Sequence, residues 1–460
     1  MTERGKIDAP VSAPYPSRLY SWYVVVVLTI IYVFSYIDRQ ILSLMVSDLK
    51  TGLNLEHDWQ VGFLMGPAFA IFYTLFGIPF GRLADRVSRK GLIAFGLTVW
   101  SLMTAACGFA KNFTTMALLR VGVGSGEASL SPSAYSIIAD YFPPNRMARA
   151  IAFYGMGIYL GGGMAYLIGG RVVAMVRDSA PWVIPSVGVV APWQKVFLIV
   201  GLPGLVLLPL LWLTIREPRR RGLLKTGQPA EKGLPFSQVF AYLRTEWRTI
   251  ATHNVGFALL AFSSYGTSAW LPEVFKRVHG WGSADFGLVY GLIVILCGSA
   301  GVLSGGFIAD WLSQRGYRDA KIRVGFIAAW IWFPTGILFP LVTNDVIAMV
   351  LVAPTVFFAA MPFGVAPAAI AELMPNNLRG QTSAIYLFVI NLIGLAIGPL
   401  VLALMTDFVF DARDYGQAGI RYSLLTTTGL AHVGATLLLW RCMFWFRRSL
   451  AARESRSGFA

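Results

Sequence analysis

Charge is scarce in this chain. Of 460 residues only 13% are Asp, Glu, Lys or Arg, against 56% hydrophobic, and the mean hydropathy is +0.62. Ordinary soluble domains carry about 25% charged residues. Acids are the rarer sign, 23 against 38 basic residues. The three cysteines, Cys107, Cys297 and Cys442, all lie within apolar runs, so no loop disulfide is implied. Four histidines, at 57, 253, 279 and 432, are scattered without ligand spacing, which argues against a built-in metal site. The phosphate loop G-x-x-x-x-G-K-[ST] is missing, so no ATP-driven step is expected of this chain alone, and no cofactor is expected.

Apolar length is what the chain has in quantity. Twelve runs, at roughly 22–49, 58–80, 91–110, 114–140, 147–174, 193–214, 250–276, 284–309, 322–342, 346–372, 380–408 and 421–446, are long enough to cross the bilayer. A crossing of the hydrocarbon layer takes about 20 helical residues. An all-α integral membrane protein with twelve transmembrane helices follows. The net charge of +15 is then a matter of placement. With both termini on one side, 27 of the 38 basic residues fall on that side, nine on the other and two within spans. Such an excess predicts cytoplasmic termini in the plasma (inner) membrane. Basic loops separated by apolar spans form no continuous footprint, so no nucleic-acid partner is expected. The first run is too long and too charged for a cleavable signal and is read as helix one.

The longest polar interruption, Ile215 to Arg248, divides the runs six and six. It opens with an Arg cluster (Arg219, Arg220, Arg221), and Phe236, Val239, Phe240, Leu243 and Trp247 then recur at helical spacing, predicting a short amphipathic surface helix. The expected organisation is a cytoplasmic segment 1–20, a bundle 21–214, a linker 215–248, a second bundle 249–447 and a tail 448–460. The halves are alike. "GRLADRVSRK" (Gly81 to Lys90) is echoed by "GFIADWLSQR" (Gly306 to Arg315) 225 residues on, and "ADYFPPNRMARAIAFY" (from Ala139) by "AELMPNNLRGQTSAIY" (from Ala371) 232 residues on. A duplicated six-helix unit with a site between the copies is a transporter architecture.

Gly81, Asp85, Arg86, Arg89 and Lys90 resemble the loop motif of the major facilitator superfamily, with Ser88 where that family usually has Gly. "RVGVGSGEA" (Arg120 to Ala128) resembles its fourth-helix motif, and "GMGIYLGGG" (Gly155 to Gly163) its Gly-rich fifth helix. "SYIDRQIL" in run one, taken with "RVGVGSGEASLSPSAYSIIADYFP" in run four, is similar to the Spinster branch of lipid and lysolipid transporters; organic-anion and sugar-acid symporters have similar stretches. The resemblance implies two pseudo-symmetric six-helix bundles that rock about a central site. It also implies that Asp85, paired with Arg86 or Arg146, latches one state, with Arg89 and Gly81 in the same gate and Asp310 in a weaker second copy, where Trp311 replaces the Arg.

Four charges lie inside the membrane. Asp38 falls roughly 24 Å up from Trp22 and Arg120 roughly 10 Å below the outer end of run four, so they share a depth. Glu127, two turns from Arg120, lies on the same face, with Gly122, Gly124 and Gly126 between them allowing run four to approach run one. These glycines lack the βαβ context of a dinucleotide site. Asp38, Arg39, Arg120 and Glu127 form either a static network fixing two helices or a coupling site. In the second reading Asp38 and Glu127 load and release protons as the cavity opens to alternate sides, and Arg39 and Arg120 hold an anionic headgroup. The Spinster resemblance implies those same roles. From the second half, Tyr265, Trp270 and Phe358 are expected to form an aromatic wall, with Pro272, Pro354, Pro362 and Pro367 favouring bends. The expected function is secondary transport of a lysophospholipid or similar amphipathic anion with protons, by a monomer among membrane lipids. The alternatives are uptake of small organic anions or sugar acids, and multidrug export. Neither a catalytic constellation nor a repeated pore lining supports an enzyme or a channel.

Overall fold

The computed structural model describes residues 15–185, 188–220, 243–374 and 378–457. Twelve helical spans run through them: α1 (Arg18–Leu44), α2 (Asp58–Ala84), α3 (Arg89–Cys107), α4 (113–141), α5 (Pro144–Arg177), α6 (Pro192–Thr214), α7 (Trp247–His279), α8 (Ser283–Gln314), α9 (Ala320–Leu341), α10 (Asp345–Leu373), α11 (Gln381–Phe408) and α12 (Gly419–Ser457). Ten have the length and hydropathy of a membrane crossing. The other two are α4, split by a turn at Ala128 and Ser129 into Phe113–Glu127 and Leu130–Tyr141, and α7, whose centre is diluted by Ser263, Ser264, Thr267 and Ser268.

Local chemistry sets the ends. The Asn112 side chain accepts from Thr115 N at 2.9 Å and that of Asn344 from Ile347 N at 3.0 Å, capping α4 and α10. Gly280, at φ 72°, closes α7 in the left-handed region. α10 stays helical through Pro354, Pro362 and Pro367.

Three features differ from expectation. α1 ends at Leu44 rather than near residue 49, because the chain leaves helical geometry at Met45 (φ −125°) and restarts as a short helix, Val46–Gly52. α12 runs well past residue 446, into Arg-rich sequence that carries no hydropathy signal. The all-α expectation misses a small hairpin, β1 (Trp182–Ile184) against β2 (Gly188–Val190), with Trp182 opposite Val190. The amphipathic helix expected over Phe236 to Trp247 lies mostly outside the described residues; residues 243–245 are helical, and Trp247 is the first residue of α7.

In the first half α5 packs on α1 and α6 on α3, with α4 against α2 and α3; in the second α12 packs on α7, and α10 on α8 and α9. The halves meet through α5 on α8 and α2 on α11, towards the face opposite the termini. There a Cβ on Gly66 would lie 2.3 Å from Ala396 O, and one on Gly170 2.3 Å from Ser283 O. Gly81 and Gly306, towards the face carrying the termini, have no neighbour within 4 Å of such a Cβ. The molecule is therefore closed on the far face and splayed on the terminal face. Two π-helical segments, Val294–Gly298 in α8 and Asn391–Ile397 in α11, sit where these helices cross α5 and α2. Such segments re-aim a helix locally.

A buried charge cluster, a central cavity and a far-face clasp

All four intramembrane charges are buried. Arg39 Nη2 donates to Glu127 Oε1, joining α1 to α4. The Arg39 guanidinium lies 4.6 Å from the Tyr36 and Phe69 ring centroids and 5.1 Å from Tyr73. Arg120 sits on the same Phe69 ring at 5.2 Å, and its donors reach Leu64 O at 3.3 Å and the backbone carbonyl of Asp38 at 3.4 Å. The Asp38 side chain is 1% exposed, and neither of its carboxyl oxygens has a hydrogen-bond partner among the described residues. The second Glu127 oxygen is likewise unmatched.

Contrary to the expectation from the sequence, the glycines of α4 do not press it onto α1. A Cβ on Gly124 would lie 2.4 Å from Phe69 O of α2, and Gly122 and Gly126 face Met103 and Trp100 of α3. α4 is thereby wedged against α2 and α3, and the long Arg39 and Glu127 side chains bridge the remaining gap to α1.

A cavity of about 100 Å³ lies between the halves. Tyr36, Gln40, Tyr159 and Tyr166 line it from the first half, and Tyr265, Ser268, Tyr290, Trp332, Thr355 and Phe363 from the second. Across it, Tyr166 Oη donates to Ser268 O at 2.8 Å. Of the three aromatic residues expected here, Tyr265 is in the wall. Trp270 is fully buried in a core cluster that draws on both halves, its Nε1 donating to Pro399 O at 2.9 Å, and Phe358 packs among second-half core residues. The sequence reading missed Tyr36, Tyr159 and Tyr166; the i, i+7 spacing of Tyr159 and Tyr166 was the available signal, since it puts both on one face of α5.

The far face is held by residues the sequence reading passed over. Arg277 reaches the Asp58 carboxylate at 2.5 and 3.0 Å and Glu273 at 2.8 Å, while Lys50 joins Asp58 at 2.7 Å. Asp407, from α11, accepts the Asp58 and Trp59 N–H groups at 2.9 and 2.6 Å, so the second half caps the N-terminus of α2. A helix N-terminus favours such a carboxylate. A polar pocket of about 690 Å³ opens beside this clasp.

On the terminal face Asp85, Arg86, Arg146 and Asp310 are exposed and form no ion pair among the described residues. Arg89 is committed elsewhere: it is buried against the Asp140 carboxylate, Glu217 at 2.8 Å, Ser136 Oγ at 3.0 Å and Pro218 O at 2.9 Å. Glu217 is partly buried, which pushes its carboxyl up. The Lys90 N–H, the Arg89 guanidinium and the Ser88 hydroxyl outweigh that and hold it below the ordinary glutamate range.

The sequence pattern of the Major Facilitator Superfamily matches residues 28–399. An MFS-type efflux pump of Mycolicibacterium smegmatis is 27% identical over 430 residues, covering 94% of each chain. Protein spinster of Drosophila melanogaster is 30% identical over 320 residues, which cover 66% of this chain and 49% of that one. A bacterial homologue of the human lysosomal transporter Spinster, solved inward-facing and unoccupied, superposes with a TM-score of 0.80 at 28% identity, over 94% of this chain and 99% of that one. These two likenesses fall in the branch that the α1 and α4 motifs resemble. With a match that runs from the middle of α1 into α11, the chain belongs to the Major Facilitator Superfamily and is a secondary transporter rather than an enzyme.

Proposed function

We propose that the chain moves a lysophospholipid or similar amphipathic anion with protons, by alternating access, as a monomer in the inner membrane with both termini cytoplasmic. Bundles 21–214 and 249–447 rock about the cavity, joined by the linker 215–248. The observation that carries this reading is the unpartnered Asp38 carboxyl beside the buried Arg39–Glu127 pair. Tyr36, which Arg39 touches, lines the cavity. Desolvating a buried ion pair can cost more than its attraction returns, so such a pair is weak evidence of a purely stabilising role. In this reading Asp38 and Glu127 carry protons, and Arg39, released when Glu127 is protonated, meets an anionic headgroup together with Arg120. A wall of tyrosines with Trp332 and Phe363 supports an amphipathic cargo, as aromatic rings present an apolar body and a polar tip. Asp85, Arg86, Arg146, Gly81 and Asp310 are assigned to the closing of the terminal face. Arg89 holds the base of that gate through Asp140 and Glu217.

Uptake of a labelled lysophospholipid into proteoliposomes tests this, with and without a pH gradient, for native protein and for Asp38→Asn, Glu127→Gln and Arg120→Ala. Gradient-stimulated uptake lost in all three variants supports the reading. Transport of small organic acids without lipid uptake overturns the lipid assignment in favour of a sugar-acid symporter. The end-to-end similarity to an efflux pump favours drug export as a second reading, for which extrusion of a lipophilic dye is the corresponding assay.

A further inference from the structure

Trp445 lies near the terminal-face end of α12, and three guanidinium groups surround its indole. Arg248 is 4.7 Å from the ring centroid, Arg441 5.3 Å and Arg448 5.7 Å. Arg441 and Arg448 stand four residues before and three after Trp445 on α12, so helical spacing brings both to it. Arg248 arrives from the first turn of α7. All three side chains are exposed, and none has a carboxylate partner among the described residues. Acids are nearby but engaged: the Ser449 hydroxyl donates to Glu246 at 2.5 Å, and Asp319 faces Arg323 at 2.7 Å and Arg447 at 3.6 Å.

Three like charges on one ring repel each other, and exposed cation–π contacts are individually weak. An anion bound among them would offset that repulsion, and guanidinium forks suit phosphate oxygens. The neighbouring surface indicates where such an anion comes from. Leu437, Trp440 and Phe444, exposed by 60%, 60% and 46%, form a stripe along α12 that leads to the ring, and Trp247, 57% exposed, flanks it. Such a stripe is lipid-facing, and tryptophans at its end mark the membrane–water boundary. Elsewhere on the terminal face Trp212 carries one cation, Lys90 at 4.7 Å, and Trp311 one, Arg315 at 3.8 Å. Trp445 carries three.

We propose that Trp445, Arg248, Arg441 and Arg448 form a binding site for the phosphate headgroup of an anionic phospholipid, separate from the transport cavity. The inference rests on the cytoplasmic placement of the termini, since the cytoplasmic leaflet presents anionic lipid to basic segments.

The test uses the full chain in nanodiscs of phosphatidylcholine alone or mixed with phosphatidylglycerol, with retained lipid read by native mass spectrometry and unfolding by thermal scan. Native protein should retain phosphatidylglycerol and unfold at higher temperature in its presence. The triple variant R248Q/R441Q/R448Q should bind it about 100-fold more weakly, taking about fivefold per basic residue at an anionic surface over three residues, and should lose the thermal shift. Arg315→Gln should keep both. Equal retention by native and triple variant overturns the site. So does a shift reproduced in full by inorganic phosphate in phosphatidylcholine discs, which would identify a soluble-anion site. Because nanodiscs expose both leaflets, a wrong orientation or cargo assignment leaves this result unaffected.

Discussion

The carboxyl groups of Asp38 and Glu127 have different surroundings, and that difference gives a test that tells a coupling site from a mere brace. Glu127 neutralises Arg39, so Glu127→Gln strands a buried guanidinium; breaking such a pair costs about 3–5 kcal/mol. Asp38 has no side-chain partner. Asp38→Asn should therefore leave thermal stability unchanged or raised while abolishing gradient-driven uptake, a combination that paired unfolding and flux measurements detect. A static network would instead lose stability and flux together in both variants. Glu217 gives a separate prediction. Its carboxyl titrates below the ordinary value of 4.5, so it stabilises the fold above that pH, and the contribution is lost as pH falls below it. Native protein should lose stability on acidification through this range more steeply than Glu217→Gln, as an acid-titrated unfolding series would show. The four intramembrane charges were legible in the sequence because charge in an apolar run is conspicuous. Which carboxylate met which arginine was not, because rotamer and helix rotation decide that.

At the level of helices, glycine positions sort into those packed shut here and those left open. A methyl on Gly124 would strike the Phe69 carbonyl at 2.4 Å, and backbone cannot yield as a flexible side chain can. Gly124→Ala should cost about 1–3 kcal/mol through overpacking, more than the helix propensity it gains, and should shift Arg120 and Glu127 relative to Arg39. Thermal unfolding and transport should both fall. A Cβ on Gly81 has no neighbour within 4 Å in this conformation; Gly81→Ala should keep native stability but slow transport if Gly81 lies in the closed terminal face of the opposite state. The limits of most spans were readable from hydropathy. The break in α4, the polar centre of α7 and the π segments of α8 and α11 were not, because they answer to neighbouring helices rather than to any periodicity of their own. Trp270 shows the same limit, since aromatic composition suggested a binding wall but the rotation of α7 turns that ring inward to Pro399.

Across the whole molecule, the far-face clasp joins the two halves and is expected to favour the state closed on that face. Asp407 caps α2 from the opposite half and Arg277 binds Asp58 across the same seam. Asp407→Ala removes a cap of about 0.5–2 kcal/mol, which shifts a two-state population up to about 30-fold. Spin labels at the exposed Glu56 and Arg413 positions should then show a longer-distance population absent from the native protein. An unchanged distance distribution would mean that the clasp follows closure rather than stabilising it. The amino-acid sequence by itself determined the twelve crossings, the duplicated half, the bias of basic residues to one side and the set of buried charges. These follow from transfer of residues between water and hydrocarbon, which is local and additive along the chain. Only the tertiary structure decided the pairing of Glu127 with Arg39, the isolation of the Asp38 carboxyl, the tyrosine-lined cavity and the closed far face. Each of these depends on how helices distant in sequence rotate and dock, and on steric contacts that no single segment encodes.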